Sequence, residues 1–268
     1  MRKLFVFLVF LALPALLALP VGASSQQAYQ DYLYQFDVYR SVFSDFQTAR
    51  GEYLKFQTLT SQTTALTKTK TMLVQRAMLV RTYLLLLTER LNENQGLTPD
   101  EQNRYLSLVT SEINFLDRQK TAVPAIASLD GAAAHSKELE THYPALYATM
   151  RGAASELLRG AVVAQVSDFD RLFGDAKTLI DRHRPSGSPE GQTTVDRWIV
   201  VITNKREILA QTLEDVRGAN QKVFKAPSVD EADRWVADSA KAIITAKQQL
   251  LEVTANLTEL IASMRYQD

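Results

Sequence analysis

The chain has 268 residues, with 30 basic and 30 acidic side chains, three histidines and no cysteine. The absence of cysteine excludes disulfide frameworks, zinc ribbons, iron–sulfur ligation and thiol nucleophiles. The neutral balance argues against a protein that coats nucleic acid, because neutralising phosphates requires a basic excess. A hydrophobic content of 46% with little glycine or proline favours a globular chain of long, uninterrupted elements.

The chain begins with the pattern of a secretory signal peptide, residues 1–23. Arg2 and Lys3 form a basic start, and residues 4–19 are an uncharged apolar run. Small residues ending at Ala23 follow, so cleavage is expected after Ala23, leaving a slightly acidic chain in the periplasm, at the cell surface or outside the cell. An uncleaved anchor is the alternative, although the run is shorter than the roughly 20 residues that span a bilayer. No later stretch is long and apolar enough to span, so any membrane contact of the mature chain would be peripheral.

Behind this segment the apolar periodicity is helical throughout. Apolar residues recur at three- and four-residue spacings, and no stretch of convincing length alternates as a strand does. Prolines and capping boxes mark helix starts, as in Thr98-Pro99-Asp100-Glu101, while Gly96 is interpreted as the end of the preceding helix. The predicted helices cover residues 25–56, 62–95, 99–122, 131–142, 144–184, 192–223 and 229–266. The sequence thus predicts an all-α, elongated antiparallel bundle of about six to seven helices, several of 30 or more residues, with coiled-coil-like seams.

An aromatic stripe runs along the first predicted helix. Tyrosines and phenylalanines recur at three- and four-residue spacings up to Phe46 and resume seven residues later. Core packing is the favoured explanation, with tyrosine hydroxyls at the edge of the bundle. A binding face, a membrane-interface belt and an oligomer seam are the alternatives. The candidate interaction face comprises Tyr29, Tyr32, Tyr34, Tyr39 and Tyr53, of which Tyr34 lies off the stripe and is expected to face solvent.

The threonine-rich segment 58–71 separates the stripe from a leucine-rich helix. We place a turn near residues 57–62, with Ser61 or Thr63 as the helix cap, and keep one continuous helix through residues 25–95 as the alternative. Leu84–Leu87 are four successive leucines that cover most of the helix circumference. We therefore expect them to be buried on all sides.

The last predicted helix has the most regular seam. Ile244, Leu251 and Ile261 are expected to widen that seam into a core-facing stripe. The preceding helix has a similar seam, which Arg206 and Asn220 interrupt. The seam of the last helix consists of Val236, Ser239, Ile243, Ala246, Leu250, Val253, Leu257, Leu260 and Met264.

The proline- and glycine-rich segment 185–191 is interpreted as a linker. It follows a helical bundle over residues 24–184, which contains the Tyr/Phe-rich first helix. It precedes a C-terminal helical hairpin over residues 192–268, which we expect to pack on the same bundle. Two separate bundles are the alternative.

No stretch matches a nucleotide-binding, metalloprotease or serine-hydrolase motif, so no catalytic residue and no cofactor are predicted. An enzyme is therefore the least favoured class. His135, Glu138 and His142 are the candidates for a metal site, because on a helix they would share one face. A solvated helix face is the favoured explanation, since seven residues along a helix span about 10.5 Å.

Three segments within residues 29–95 carry a resemblance. YQDYLYQFDVYR, EYLKFQTLTSQTTAL and YLLLLTERLNE resemble an uncharacterised group of exported all-helical proteins from candidate-phylum bacteria. The resemblance implies export and a helical fold, and it carries no catalytic residue.

The expected function is a structural or protein-interaction role at the cell envelope, performed by an exported, non-catalytic helical bundle. It would bind a protein partner or a second copy through helix faces, and no nucleic acid. An extracytoplasmic ligand-binding or sensing bundle is one alternative, in which Arg206 and Asn220 would line a cavity. A membrane-active protein resembling pore-forming toxins in architecture is the other.

Overall fold

The computed structural model describes residues 23–183 and 189–265. These residues form six α-helices and one short 3₁₀ helix, without a strand, and the all-α prediction with several helices of 30 or more residues is confirmed. No helix among them has a segment long and apolar enough to cross a membrane. The predicted signal peptide lies outside the described residues apart from Ala23. The helices are α1 Ala23–Phe56, α2 Leu59–Glu93, α3 Pro99–Ala122, the 3₁₀ helix Val123–Ala125, α4 Leu129–His183, α5 Pro189–Val223 and α6 Val229–Arg265.

Helices α1 and α2 form a long antiparallel hairpin, so the predicted turn is present and the single-helix alternative is wrong. The chain reverses at Gln57, whose φ of 49° lies in the left-handed region. Thr58 then caps α2, because its side chain accepts from the Ser61 amide while the Ser61 hydroxyl accepts from the Thr58 amide. Thr58 is therefore the cap, and neither Ser61 nor Thr63 takes that position.

Two three-helix cores share α4. The first core joins α2, α3 and the N-terminal half of α4, through residues such as Leu84, Val109 and Leu146. The second joins the C-terminal half of α4 with α5 and α6, through residues such as Phe169 and Leu209. Helix α1 covers α2 from outside the first core. The division therefore falls within α4, and residues 162–180 belong with the C-terminal helices.

Helix α4 corrects the prediction of two helices divided at Pro144. It runs for 55 residues with Pro144 in its interior. Proline removes a helical hydrogen bond and costs about 3 kcal/mol in a helix interior. Leu139 and Leu146 on either side of it are buried in the same core, and their burial offsets this cost.

The predicted linker 185–191 is only partly described. Helix α4 ends at His183, and α5 begins at Pro189, so residues 189–191 are helical. Proline suits the first position of a helix, where its missing N–H would have no helical partner. Residues 184–188 lie outside the described residues.

The seam of α6 is confirmed, but its expected widening is wrong. Seven consecutive seam members, from Ser239 to Leu260, are buried, whereas Ile244, Leu251 and Ile261 are 58%, 71% and 41% exposed. Within the described part of the chain, α6 packs mainly on α4 and α5, so a narrow seam suffices. Helix α2 packs on α1, α3 and α4, and three of its residues Leu84–Leu87 are accordingly buried, with Leu85 half-buried.

Two glycines allow the loop between α2 and α3 to touch α4. Helix α2 ends at Glu93 with Asn94 as its C-cap, so Gly96 is not the helix end that the sequence indicated. A Cβ on Gly96 would lie 1.8 Å from the Gly160 carbonyl oxygen, and one on Gly160 would lie 2.2 Å from Asn94 Oδ1. Asn94 completes the contact, because its Nδ2 donates to the Leu157 carbonyl at 3.1 Å.

Replacing Gly96 by alanine is expected to lower the free energy of unfolding by about 2 kcal/mol, because the new methyl group meets backbone that cannot move aside. Gly218→Ala is the matched control. Its Cβ would meet nothing within 4 Å, so this helical substitution is expected to stabilise by about 0.5–1 kcal/mol. Urea denaturation followed by circular dichroism measures both, and equal shifts of the two variants would contradict the close contact.

Candidate functional site

A buried ion network lies where α4 changes packing partners. Arg159 is 5% exposed, its Nε donates to Glu156 Oε2 at 2.7 Å, and its Nη2 donates to Glu101 Oε1 at 2.8 Å. Glu156 is fully buried and Glu101 is 7% exposed. Arg217 of α5 lies 3.5 Å from Glu101 Oε1 and supplies a second cation. Two cations thus compensate two carboxylates across α3, α4 and α5.

Glu101 reaches this network because it also caps α3. Its Oε2 accepts from the Thr98 amide at 3.0 Å, which confirms the predicted capping box. Burial would raise the pKa of Glu101, but the Thr98 amide and the Arg159 guanidinium outweigh it and hold that pKa below its usual range. Burial would lower the pKa of Arg159, but Glu156 and Glu101 together outweigh it and raise that pKa, so this guanidinium stays charged.

A second polar cluster joins α4, α5 and α6 inside the protein. Ser155 Oγ lies 2.6 Å from Asn220 Oδ1, to which it donates, and 2.8 Å from Ser239 Oγ. All three residues are buried. The polar residues that interrupt the α5 and α6 seams therefore both bind Ser155 of α4, and these contacts align the three helices.

Arg206, the other residue that interrupts the α5 seam, makes a bidentate ion pair at the surface. Its Nε and Nη2 donate to the carboxylate of Asp170 on α4 at 2.7 and 2.8 Å. Asn220 is buried, as the ligand-binding alternative required, but neither residue borders the groove described below. The ligand-binding alternative gains no support from them.

The metal candidates do not converge. His142 Nε2 lies 2.7 Å from Glu112 Oε2 on α3, and its ring stacks on Phe115. Glu138 Oε2 instead accepts from Gln119 Nε2 at 3.0 Å and lies 4.0 Å from Nδ1 of the buried His135. Within residues 23–183 and 189–265, no group of three or more potential ligands that could hold a metal ion occurs.

An open groove of about 650 Å³ lies between α3 and α4 next to these residues. Its single hydroxyl group, on Thr141, donates to the Lys137 carbonyl at 2.9 Å and is engaged within the helix. The groove offers a mixed polar and aromatic surface. Its lining residues are Phe115, Ala134, Lys137, Glu138, Thr141 and His142.

The tyrosines of the candidate interaction face have different environments. Tyr32 and Tyr39 are buried against α2, which is the core packing expected of the stripe, and Tyr29 and Tyr53 are half-buried. Burial is the main cause that raises the pKa of Tyr32 to about 12. Tyr34 is 66% exposed, as expected. Of the five, Tyr34 is therefore the one that a partner reaches most easily.

Sequence reasoning did not identify the ion network. One signal was available, because Glu156 and Arg159 lie three residues apart and are the only charged residues in the largely apolar run from Ala153 to Val166. A helical charged pair surrounded by apolar residues indicates burial with a partner. Their partner Glu101 lies on another helix. Its place in the capping box of α3 was by itself a sufficient reason for a glutamate at that position.

No family model, curated protein or solved structure matches the chain. The described residues form two three-helix cores that share one continuous helix, with α1 packed on α2 outside the first core and buried charges at the junction.

Replacing Arg159 by methionine is expected to lower the free energy of unfolding by about 3–5 kcal/mol, because Glu156 loses its cation and Glu101 keeps only the longer contact with Arg217. Arg206→Met removes a similar pair at the surface and should cost no more than about 1 kcal/mol. Denaturant titrations of the two variants measure the difference. Similar small losses would show that the buried network is unimportant.

Stability should fall in acid through Glu101. Its pKa in the folded chain is below the ordinary 4.5, so its contribution is complete above that pH and is lost as the pH falls through the folded value. Glu101→Gln is expected to flatten the dependence of the urea midpoint on pH between about pH 3 and 5. Glu259→Gln, at an exposed position of α6, is the control and should leave that dependence unchanged.

Proposed function

We propose that this is an exported, non-catalytic interaction protein of the cell envelope, in which the two bundles act as one stiff spacer that presents helix faces to partners. The observation that carries the proposal is α4, whose 55 residues enter both cores without interruption. At a rise of 1.5 Å per residue, this helix is about 80 Å long. Such a spacer needs no reaction chemistry.

Stiffness at the junction is supported by three independent contacts. The Arg159 network joins α3, α4 and α5, and the Ser155 cluster joins α4, α5 and α6. The contact between Gly96 and Gly160 brings the α2–α3 loop against the same stretch of α4. A bend of α4 at this height would break hydrogen bonds of buried polar groups, which is costly.

An interaction role is supported by apolar side chains on outward helix faces of the second bundle. Leu172 and Leu179 of α4 are 52% and 48% exposed, and Ile244 and Leu251 of α6 are 58% and 71% exposed. Each pair is separated by seven residues and therefore lies on one side of its helix. Apolar pairs at this spacing are typical of surfaces that receive another helix.

Export is supported by the signal-peptide pattern and by the environment of the expected new N-terminus. Ser24 Oγ donates to Glu93 Oε1 at 2.9 Å, and the amide of the buried Ser25 donates to the same oxygen at 3.2 Å. Cleavage after Ala23 would place the new α-ammonium group of Ser24 near this carboxylate. Glu93 would then offset the repulsion between that charge and the positive end of α1.

The proposal is tested by fractionation with N-terminal sequencing, followed by crosslinking and recovery of the crosslinked species. We expect a mature chain that begins at Ser24 among the exported proteins, soluble or released from membranes by an alkaline carbonate wash, and crosslinked to one dominant protein partner or to a second copy. Ile244→Ser with Leu251→Ser should remove the crosslink, whereas Thr245→Ser with Thr254→Ser on α6 should not. A chain that keeps Met1 in the membrane fraction would overturn the exported form, and the absence of any specific crosslink would overturn the interaction role.

A further inference from the structure

The end of the α1–α2 hairpin, residues 50–63, carries large apolar side chains in solvent; we name it the hairpin tip. Leu54 and Phe56 are each 59% exposed, and Leu59 is 79% exposed. Leu59 has the largest exposed fraction of the large apolar side chains outside the signal segment, residues 184–192 and the last five residues. The three lie within six positions of one another at a tight turn, so all are at the same end of the hairpin, and we refer to these three side chains together as the patch.

The hairpin tip extends past the other helices. Lys70 of α2 donates to the carbonyls of Pro124 and Ile126 at 2.9 and 3.0 Å, and this contact marks the level at which the α3–α4 connection lies. Leu59 lies eleven residues before Lys70, at the N-terminal end of α2, and therefore about 16 Å beyond this level along the helix axis. The two helices meet there through small side chains, since Ala49 and Ala65 are buried. The tip is thus a narrow, convex, two-helix end.

The charge next to the patch is positive. The ion pair between Lys68 and Asp45, at 2.7 Å, lies on the bundle side of the tip. Within residues 50–63 the charged residues are Arg50, Glu52 and Lys55, a net charge of plus one. Lys55 Nζ lies 4.9 Å from the centre of the Phe56 ring, so a cation borders the apolar patch directly.

The area of the patch decides between a protein partner and a lipid surface. Even a fully exposed large side chain offers at most about 200 Å², so three offer at most ~600 Å². A standard protein interface buries about 800 Å² on each partner, and a hairpin end, unlike the long faces of α4 and α6, has no flanking helix surface to supply the remainder. A lipid interface sets no such minimum, because it deforms around a convex tip and accepts apolar side chains next to cations.

We propose that the hairpin tip docks on a bilayer surface that contains anionic lipid. Leu54, Phe56 and Leu59 enter the boundary between headgroups and acyl chains, and Arg50 and Lys55 contact lipid phosphates. The hairpin then holds the bundles away from the membrane. This proposal deepens the envelope role proposed above by naming the surface to which the protein attaches.

The test is flotation of the chain that starts at Ser24 with vesicles of phosphatidylcholine alone, or with one quarter phosphatidylglycerol. The apolar run 4–19 is left out because it would bind lipid by itself. The tip variant combines Leu54→Ser, Phe56→Ser and Leu59→Ser. Its matched control combines Val200→Ser, Ile208→Ser and Ile261→Ser, which remove three side chains that are 57%, 57% and 41% exposed elsewhere, outside the proposed partner-binding pairs. Circular dichroism verifies that all variants remain helical.

We expect the unaltered chain and the control to float with the anionic vesicles, and the tip variant to bind at least about tenfold more weakly. Arg50→Gln with Lys55→Gln should weaken binding to the anionic vesicles by about fivefold for each cation removed and leave binding to neutral vesicles unchanged. No flotation of the unaltered chain, or an equal loss in the control, would overturn the proposal. A dimer in light scattering that only the tip variant abolishes, without flotation, would assign the patch to a second copy and also overturn it. Fractionation tests the envelope role separately, so each proposal can fail alone.

Discussion

Arg159 is buried at the level where α4 exchanges one pair of packing partners for another. Because its guanidinium is buried away from water, its charge must be compensated by hydrogen bonds to the carboxylates of Glu101 and Glu156. These carboxylates come from α3 and from α4 itself, and Arg217 adds α5 to the same group. Apolar packing alone tolerates small slides between helices. Paired charges do not, and the relative positions of the two bundles follow from this requirement.

The spacing of apolar residues on α4 explains why the bundles lie on different sides of it. The first core uses Leu146, Met150, Ala153 and Leu157 at steps of four, three and four, and the second uses Val162, Val166, Phe169 and Phe173 at the same steps. Steps of this kind keep one side of a helix buried. The step of five between Leu157 and Val162 turns the buried side by about 140° at 100° per residue. Arg159 and Gly160 lie within that step and belong to neither apolar core.

Much of the fold could be predicted from the sequence because helix boundaries are locally encoded. The Thr98 capping box starts α3 where expected, and the α6 seam is buried where expected. Features that depend on other helices could not be predicted in this way. A proline such as Pro144 predicts a helix break when it is considered alone, yet apolar packing on both sides of it keeps α4 continuous. Leu251 is apolar and near a seam, but its burial depends on how many helices surround α6.

The candidate site shows the same limit to what local sequence patterns can predict. His135, Glu138 and His142 lie on one helix, which suggested a shared metal site. Instead, His142 is hydrogen-bonded to Glu112 on α3, and Glu138 accepts a hydrogen bond from Gln119. The ion network is the reverse case, because Glu101 lies far from Glu156 and Arg159 along the chain. Glu101 and Arg159 are 58 positions apart, and helical periodicity carries no information on such a pairing.

A continuous α4 is the basis of the spacer account, and its length can be measured directly. The chain has no cysteine, so Thr141→Cys with Lys177→Cys gives two unique label sites, both exposed on α4. They are 36 residues apart, which is ten helical turns on one side and about 54 Å. Electron–electron double resonance between spin labels at these sites should give one narrow distribution near that distance. A broad distribution centred well below it would show that α4 bends at the junction, and the spacer account would be wrong.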